Sequence, residues 1–73
     1  MTSEQLASAL KDAVERAPHG KRVVFVHLFG IAYSEFLKGR NTKEIAALAG
    51  IPESYGVEIS KGANLAPFVT ING

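Results

Sequence analysis

Two histidines, His19 and His27, carry the side chains best suited to acid–base or metal chemistry in this 73-residue chain. His19 lies in a Pro-His-Gly turn and His27 in an apolar segment, so nothing in the spacing brings them into one site. The chain has no cysteine, which excludes disulfides and thiolate chemistry. It also shows no Ser-His-Asp set, metal-ligand spacing or Gly-rich phosphate loop. We therefore expect no enzyme activity, no metal and no cofactor.

The candidate binding residues lie in and beside a segment that has the pattern of two short helices joined by a tight turn. The first helix is predicted over Thr42–Ala49, with Asn41 or Thr42 as its cap and Glu44 placed for a capping box. Gly50 follows at once and can take the left-handed conformation that ends a helix. Ile51 is then expected to fill the angle between the two helices.

The second helix is predicted to run from about Pro52 to Lys61. Proline is tolerated at a first helical position because its missing N–H would be unpaired there anyway. Gly62 is expected to close this helix as Gly50 closes the first. Ala46 is small where the second helix must cross the first.

The segment resembles the helix-turn-helix of Cro/phage-repressor-type regulators. The resemblance covers roughly a third of the chain and rests on Ala46, Gly50 and Ile51, the run at 54–59, and the Lys-Gly pair at 61–62. It implies a helical DNA-binding domain whose second helix enters the major groove of duplex DNA, with the start of that helix at the base edges.

The docking mode that the resemblance implies assigns side chains to DNA. Base edges would face the start of the second helix, where Ser54 can exchange hydrogen bonds, Glu53 can accept from a cytosine amino group, and the Tyr55 hydroxyl can reach a phosphate. The full set expected at DNA is Arg40, Thr42, Lys43, Pro52, Glu53, Ser54, Tyr55 and Lys61.

The charge pattern keeps a second interpretation open. The net charge is only +1, whereas DNA-binding domains usually carry a clear basic face. Pro52 and Glu53 stand where the family usually has polar base- and phosphate-contacting residues, and Glu58 adds a second acid. Gly56 replaces the usual β-branched core residue, so Val57 or Ile59 must supply that packing. The alternative is a protein-interaction module of the same shape that does not bind DNA.

The rest of the chain predicts further helices around one core. Apolar positions at helical spacing predict a first helix from Ser3 to about Ala17, with Thr2 and Gln5 as a capping box. The segment Lys21–Lys38 is predicted to be one long, mostly buried helix, although its β-rich start also allows a strand from Arg22 to Phe29. Gly30 within it leaves room for another helix to pass close by. We expect an all-α bundle of four to five helices, with room for a short C-terminal strand.

The C-terminal segment Phe68–Ile71 is apolar and β-prone, so it is expected to pack on the core or pair with a second chain. A homodimer through Phe68, Val69 and Ile71 would enlarge a small core and match a two-fold DNA site. The longest apolar stretch, Val23–Tyr33, is too short to span a bilayer. We expect a single domain over residues 1–73, no membrane partner and a cytoplasmic location.

Overall fold

A computed structural model describes residues 1–72, and all regular secondary structure in that range is helical, which confirms the all-α prediction; no strand occurs there. Five α-helices and one 3-10 turn follow one another along the chain. They are α1 Ser3–Arg16, α2 Arg22–Ala32, α3 Ser34–Leu37, α4 Thr42–Leu48, α5 Tyr55–Leu65 and the 3-10 turn Ala66–Phe68.

Helix α1 begins at the predicted capping box. The Gln5 backbone N–H donates to Thr2 Oγ1 at 3.0 Å, and the Thr2 backbone N–H donates to Gln5 Oε1 at 2.8 Å. Two otherwise unpaired N–H groups are thereby satisfied, which fixes the start of the helix. One face of the helix is buried and supplies Leu6, Ala7, Leu10 and Ala13 to the core.

The predicted long helix Lys21–Lys38 is wrong as a single element, because the chain breaks between α2 and α3. At φ −109° and ψ 19°, Tyr33 leaves the helical range, while its ring centroid stays 5.1 Å from that of Phe29. The break redirects the chain so that Leu37 enters the core, while Phe36 stays about half exposed and the segment is not mostly buried. The strand alternative is also excluded, since Arg22–Ala32 is helical.

Helices α2 and α5 cross at a pair of glycines, as the presence of Gly30 suggested. A Cβ on Gly30 would lie 2.9 Å from the Ala63 backbone nitrogen and 3.0 Å from the Gly62 Cα, closer than real Cβ contacts allow. The prediction that Gly62 closes the second helix is therefore wrong: Gly62 is buried inside α5, which continues to Leu65. Its lack of a side chain serves the crossing rather than a helix end.

The C-terminal segment does not form the short strand that its residues allowed. It continues from α5 into the 3-10 turn and then extends without regular structure to residue 72. Phe68 is 84% exposed, while Ile71 lies beside α1 and α2 in a cavity that Ala9, Ala13, Phe25 and Phe29 also line. Within residues 1–72, no helix has the length and apolar character needed to cross a membrane.

Candidate nucleic-acid interface

The end of α4 has the hydrogen bonds of a Schellman motif. Gly50 has φ +80°, the left-handed conformation predicted for it. Its N–H donates to the Ala47 carbonyl at 3.0 Å, and the Ile51 N–H donates to the Ala46 carbonyl at 3.1 Å. This pairing satisfies the last carbonyls of the helix and turns the chain sharply toward α5. Ile51 is half-buried against the core, in the position expected for it.

The start of α4 is fixed by its predicted cap. Asn41 Oδ1 accepts hydrogen bonds from the backbone N–H groups of Lys43, at 3.0 Å, and Glu44, at 3.2 Å. A carboxamide in this position satisfies N–H groups that have no partner within the helix. The cap therefore sets where Thr42 and Lys43 emerge beside α5.

Helices α4 and α5 pack backbone to backbone near their starts. A Cβ on Gly56 would stand 2.8 Å from the Lys43 nitrogen and 2.9 Å from its Cα, so only glycine fits there. One turn later, the Thr42 and Ser60 hydroxyls share a hydrogen bond at 3.1 Å. The core packing expected from Val57 or Ile59 comes from Ile59, which is fully buried.

The predicted bounds of the second helix need correction. Helix α5 is Tyr55–Leu65, whereas Pro52, Glu53 and Ser54 form an exposed turn before it. The Tyr55 N–H donates to the Pro52 carbonyl at 3.0 Å, so proline shapes this turn rather than the first helical position. Tyr55 itself is half-buried against the core.

One stripe of α5 faces away from the rest of the molecule. Val57, Lys61, Asn64 and Leu65 are exposed and fall within one third of the helix circumference at 100° per residue. Phe68 continues the stripe beyond the helix end. The stripe is mostly apolar, with one cation and one amide, and it lies at positions later in the helix than the resemblance indicated.

Three cations near the start of α4 differ in their contacts. Arg40 binds the N-terminal segment: its guanidinium donates to the Met1 carbonyl, to Ser3 Oγ at 2.9 Å and to the Phe36 carbonyl at 3.0 Å. Lys38 pairs with Glu35 at 3.2 Å, and both side chains are largely exposed. Lys43 is exposed and makes no ion pair within residues 1–72.

Glu58, one of the two acids that weakened the DNA interpretation, is held by two bases. His27 Nε2 lies 2.7 Å from Glu58 Oε1, and Lys61 Nζ lies 3.4 Å from Glu58 Oε2. The hydrogen bond with His27 is the main reason that the pKa of Glu58 is lowered, and Lys61 lowers it further. Its negative charge is therefore matched locally, and His27 has a partner that its sequence neighbours did not reveal.

The structure brings Thr42 and Lys43 together beside α5 and places Pro52, Glu53 and Ser54 in the turn before it. Lys61 lies on the exposed stripe, while Arg40 is bound to the N-terminal segment. Sequence reasoning missed Ser60 and Asn64 on α5. Their spacing from Gly56 at i+4 and i+8 is the signal that would have placed them on one side of the helix.

Comparison with known proteins assigns nearly the whole chain to one family. A family model described as an HTH-like domain matches residues 2–72. Neither the curated proteins nor the solved structures contain a match to the chain. The family match supports a helix-turn-helix domain, and it does not extend to the Cro/phage-repressor type in particular.

Proposed function

Because the chain belongs to the family of HTH-like domains, we propose that it binds duplex DNA through α4, the Gly50 turn and α5. The observation that carries this proposal is the pair of helices itself. Helix α5 is held at a Schellman turn and a glycine contact, yet it exposes one stripe along its length. A rigidly held helix with one free side is the geometry that lets a protein insert a helix into the major groove.

The proposed contacts divide between bases and phosphates. Ser54 and Val57 lie at the start of α5, where a hydroxyl can exchange hydrogen bonds with base edges and a side chain with two methyl groups can contact a thymine methyl. Lys43 lies in the first turn of α4, is exposed and makes no ion pair within residues 1–72, so it is assigned to a phosphate. Lys61 joins it, because its ammonium lies as far as 3.4 Å from Glu58 and its side chain is 61% exposed, so it exchanges partners easily.

Four sequence-predicted residues take smaller roles in this arrangement. Arg40 supports the interface by binding the N-terminal segment to the start of α4, and it offers phosphate only the part of its guanidinium that those bonds leave exposed. Tyr55 turns its ring to the core, which leaves its hydroxyl as the contact group. Pro52 and Glu53 shape the turn, and Glu53 favours cytosine, whose amino group its carboxylate can accept from, although phosphates repel it.

The wider role we propose is that of a small transcriptional regulator in the cytoplasm, a single domain acting as a homodimer. Phe68, Val69 and Ile71 are exposed, at 84%, 43% and 44%, where a second copy would cover them, and Ile71 also lines a cavity beside α1 and α2. Two copies would double the number of phosphate contacts, which matters because each copy contributes few cations.

A second candidate function follows from a specific observation. The exposed stripe of α5 and its continuation carry Val57, Leu65 and Phe68, which are 49%, 44% and 84% exposed. Apolar residues aligned on a helix are typical of a face that binds another protein. In this alternative the domain keeps the helix-turn-helix shape and uses the same stripe for a protein partner.

The experiment that separates the two is retention of pooled genomic fragments by the folded protein at about 50 mM salt, a concentration at which phosphate contacts remain strong. The proposal expects retained fragments, and fewer of them with Lys43→Ala than with Lys11→Ala, the control at an exposed position of α1. If the folded wild type retains no fragment, the DNA function is refuted and the protein-interaction function takes its place.

A further inference from the structure

A groove of about 580 Å³ runs between α3 and the C-terminal half of α5. The loop before α4 and the 3-10 turn close its two ends. Its volume falls within the range of natural small-molecule sites. Its lining residues are Ser34, Glu35, Leu37, Lys38, Arg40, Thr42, Ser60, Ala63, Asn64, Ala66 and Pro67.

Hydrogen-bond donors dominate the polar part of this groove. Lys38 and Arg40 provide two cations, and the single carboxylate, Glu35, is already paired with Lys38. That pair is exposed, so an anionic ligand can replace the carboxylate at little cost. The groove therefore favours a ligand with negative charge and several acceptor oxygens.

The hydroxyl pair at the centre of the groove adds a donor. Thr42 Oγ1 and Ser60 Oγ share one hydrogen bond at 3.1 Å, so one of the two hydroxyls donates and the other accepts. The accepting hydroxyl keeps its own O–H for a third partner. The Asn64 amide lies one turn further along α5 and supplies two more N–H groups. Neutral donors grouped beside cations are typical of phosphate contacts.

The remaining lining is apolar and comes from small or rigid side chains, namely Ala63, Ala66 and Pro67, with Leu37 behind them. A surface of this kind packs against a sugar ring better than against a second charged group. We propose that the groove binds the sugar–phosphate group of a nucleotide. Lys38 and the Thr42–Ser60 hydroxyls hold the phosphate, and Ala63 and Pro67 contact the sugar.

The expected source of the sugar–phosphate group is the backbone of bound DNA. In this respect the inference rests on the proposed function. Thr42 at the start of α4 and Ser60 and Asn64 on α5 line the groove, and Asn64 also belongs to the exposed stripe, so a strand that meets the stripe lies beside the groove. A free nucleotide has the same chemistry and is the other source. The α3 side of the groove thus adds a contact with the DNA backbone that lies outside the two helices of the motif.

The test uses the whole chain labelled with ¹⁵N, titrated separately with a short DNA duplex and with deoxythymidine monophosphate. We expect the duplex to shift the backbone amides of Ser60 and Asn64. Lys38→Gln should flatten the slope of log affinity against log salt by about 0.9, the value for one phosphate contact. Asn64→Ala should weaken duplex binding several-fold. Lys11→Gln, at an exposed position of α1, is the matched control and should leave the slope unchanged.

Each outcome decides between the inference and the proposed function. Shifts of the groove amides with both ligands support the groove site and DNA binding. Shifts with the duplex alone support both as well, and they identify the DNA backbone as the source of the phosphate. Duplex binding with no groove shift and no effect of either variant overturns the groove and leaves the DNA function standing. Groove shifts with the monophosphate alone support the groove as a nucleotide site and refute DNA binding. No shift with either ligand overturns both.

Discussion

Gly30 in α2 and Gly62 in α5 face each other so closely that neither accepts a methyl group: a Cβ on Gly62 would lie 3.1 Å from the Gly30 Cα and would overlap the His27 carbonyl oxygen. Most of the obstructing atoms belong to backbone, which cannot move aside as a side chain does. This crossing sets the position of α5 on the rest of the domain. It therefore also sets the orientation of the stripe that α5 exposes.

The first prediction concerns that crossing. Helix propensity alone would make Gly62→Ala stabilising by about 1 kcal/mol, whereas overpacking of a tight contact costs about 1–3 kcal/mol or more. We expect the packing term to dominate, so the variant should lower the free energy of unfolding in urea. Ala47→Gly, at an exposed position of α4, measures the propensity term in the same protein. A gain of stability in Gly62→Ala would show that the helices do not cross here.

The second prediction concerns the turn. Gly50 has φ +80° and no atom stands within 4 Å of a Cβ placed on it, so any loss on substitution comes from backbone strain alone. Gly50→Val should lower the free energy of unfolding by more than about 1 kcal/mol, the usual cost of a left-handed β-branched residue. Gly50→Asn should lose less, because asparagine tolerates this region better. An unchanged thermal midpoint in Gly50→Val would refute the assigned turn.

The third prediction uses the contact between His27 and Glu58. The pKa of Glu58 is lowered from its ordinary value near 4.5, so its ionised form is stabilised by folding. That contribution is fully present above about pH 4.5 and disappears as the pH falls through the lowered pKa. Urea unfolding from pH 3 to pH 7 should show wild type more stable than Glu58→Gln near neutrality, with the gap closing in acid.

The control for that comparison is Glu15→Gln, since Glu15 is exposed and makes no ion pair within residues 1–72. Its stability difference from wild type should not follow the Glu58 curve. A gap between wild type and Glu58→Gln that is constant from pH 3 to pH 7 would contradict the ion pair.

The fourth prediction separates two roles within the C-terminal segment. Ile71 lies in a cavity beside α1 and α2, so Ile71→Ser should lower the thermal midpoint. Phe68 is 84% exposed, so Phe68→Ser should leave the midpoint of the monomer unchanged and weaken association in sedimentation experiments. Deletion of residues 67–73 should combine both effects. Full stability and unchanged association in the truncated chain would mean that the segment serves neither role.

The parts of the fold that the sequence predicted are those set by neighbouring residues. The Thr2–Gln5 capping box, the Asn41 cap and the left-handed Gly50 each depend on residues within three or four positions, and all three are present. Local stereochemistry leaves few alternatives at such places, so a pattern of residue types is enough to predict them.

The parts that the sequence did not predict depend on distant residues. Gly62 has the local pattern of a helix end, and only its contact with Gly30 shows why it lies inside α5. The break at Tyr33 depends on which aromatic and aliphatic side chains fit the core, and the His27–Glu58 contact joins residues 31 positions apart. Such relationships are decided by how α2 and α5 pack, which periodicity alone does not encode.

The proposed binding site shows the same division. Thr42 and Lys43 were predicted from the docking mode that the resemblance implies, and the structure puts them next to α5. Ser60 and Asn64 were missed, because that docking mode assigned the base contacts to the start of the second helix and the predicted helix ended at Lys61, before Asn64. Because α5 extends to Leu65, Asn64 lies one turn after Ser60 in the same helix.

The measurement that tests the central claim most directly is duplex affinity as a function of salt for wild type, Lys43→Ala, Lys61→Ala and the control Lys11→Ala. With few cations per chain, the slope of log affinity against log salt should be about −2 to −4, and each of the two interface variants should flatten it by about 0.9 on every sequence tested. Ser54→Ala should instead change the preference among sequences. A slope that Lys11→Ala changes as much as Lys43→Ala, or no binding by the folded protein at low salt, would contradict the DNA function.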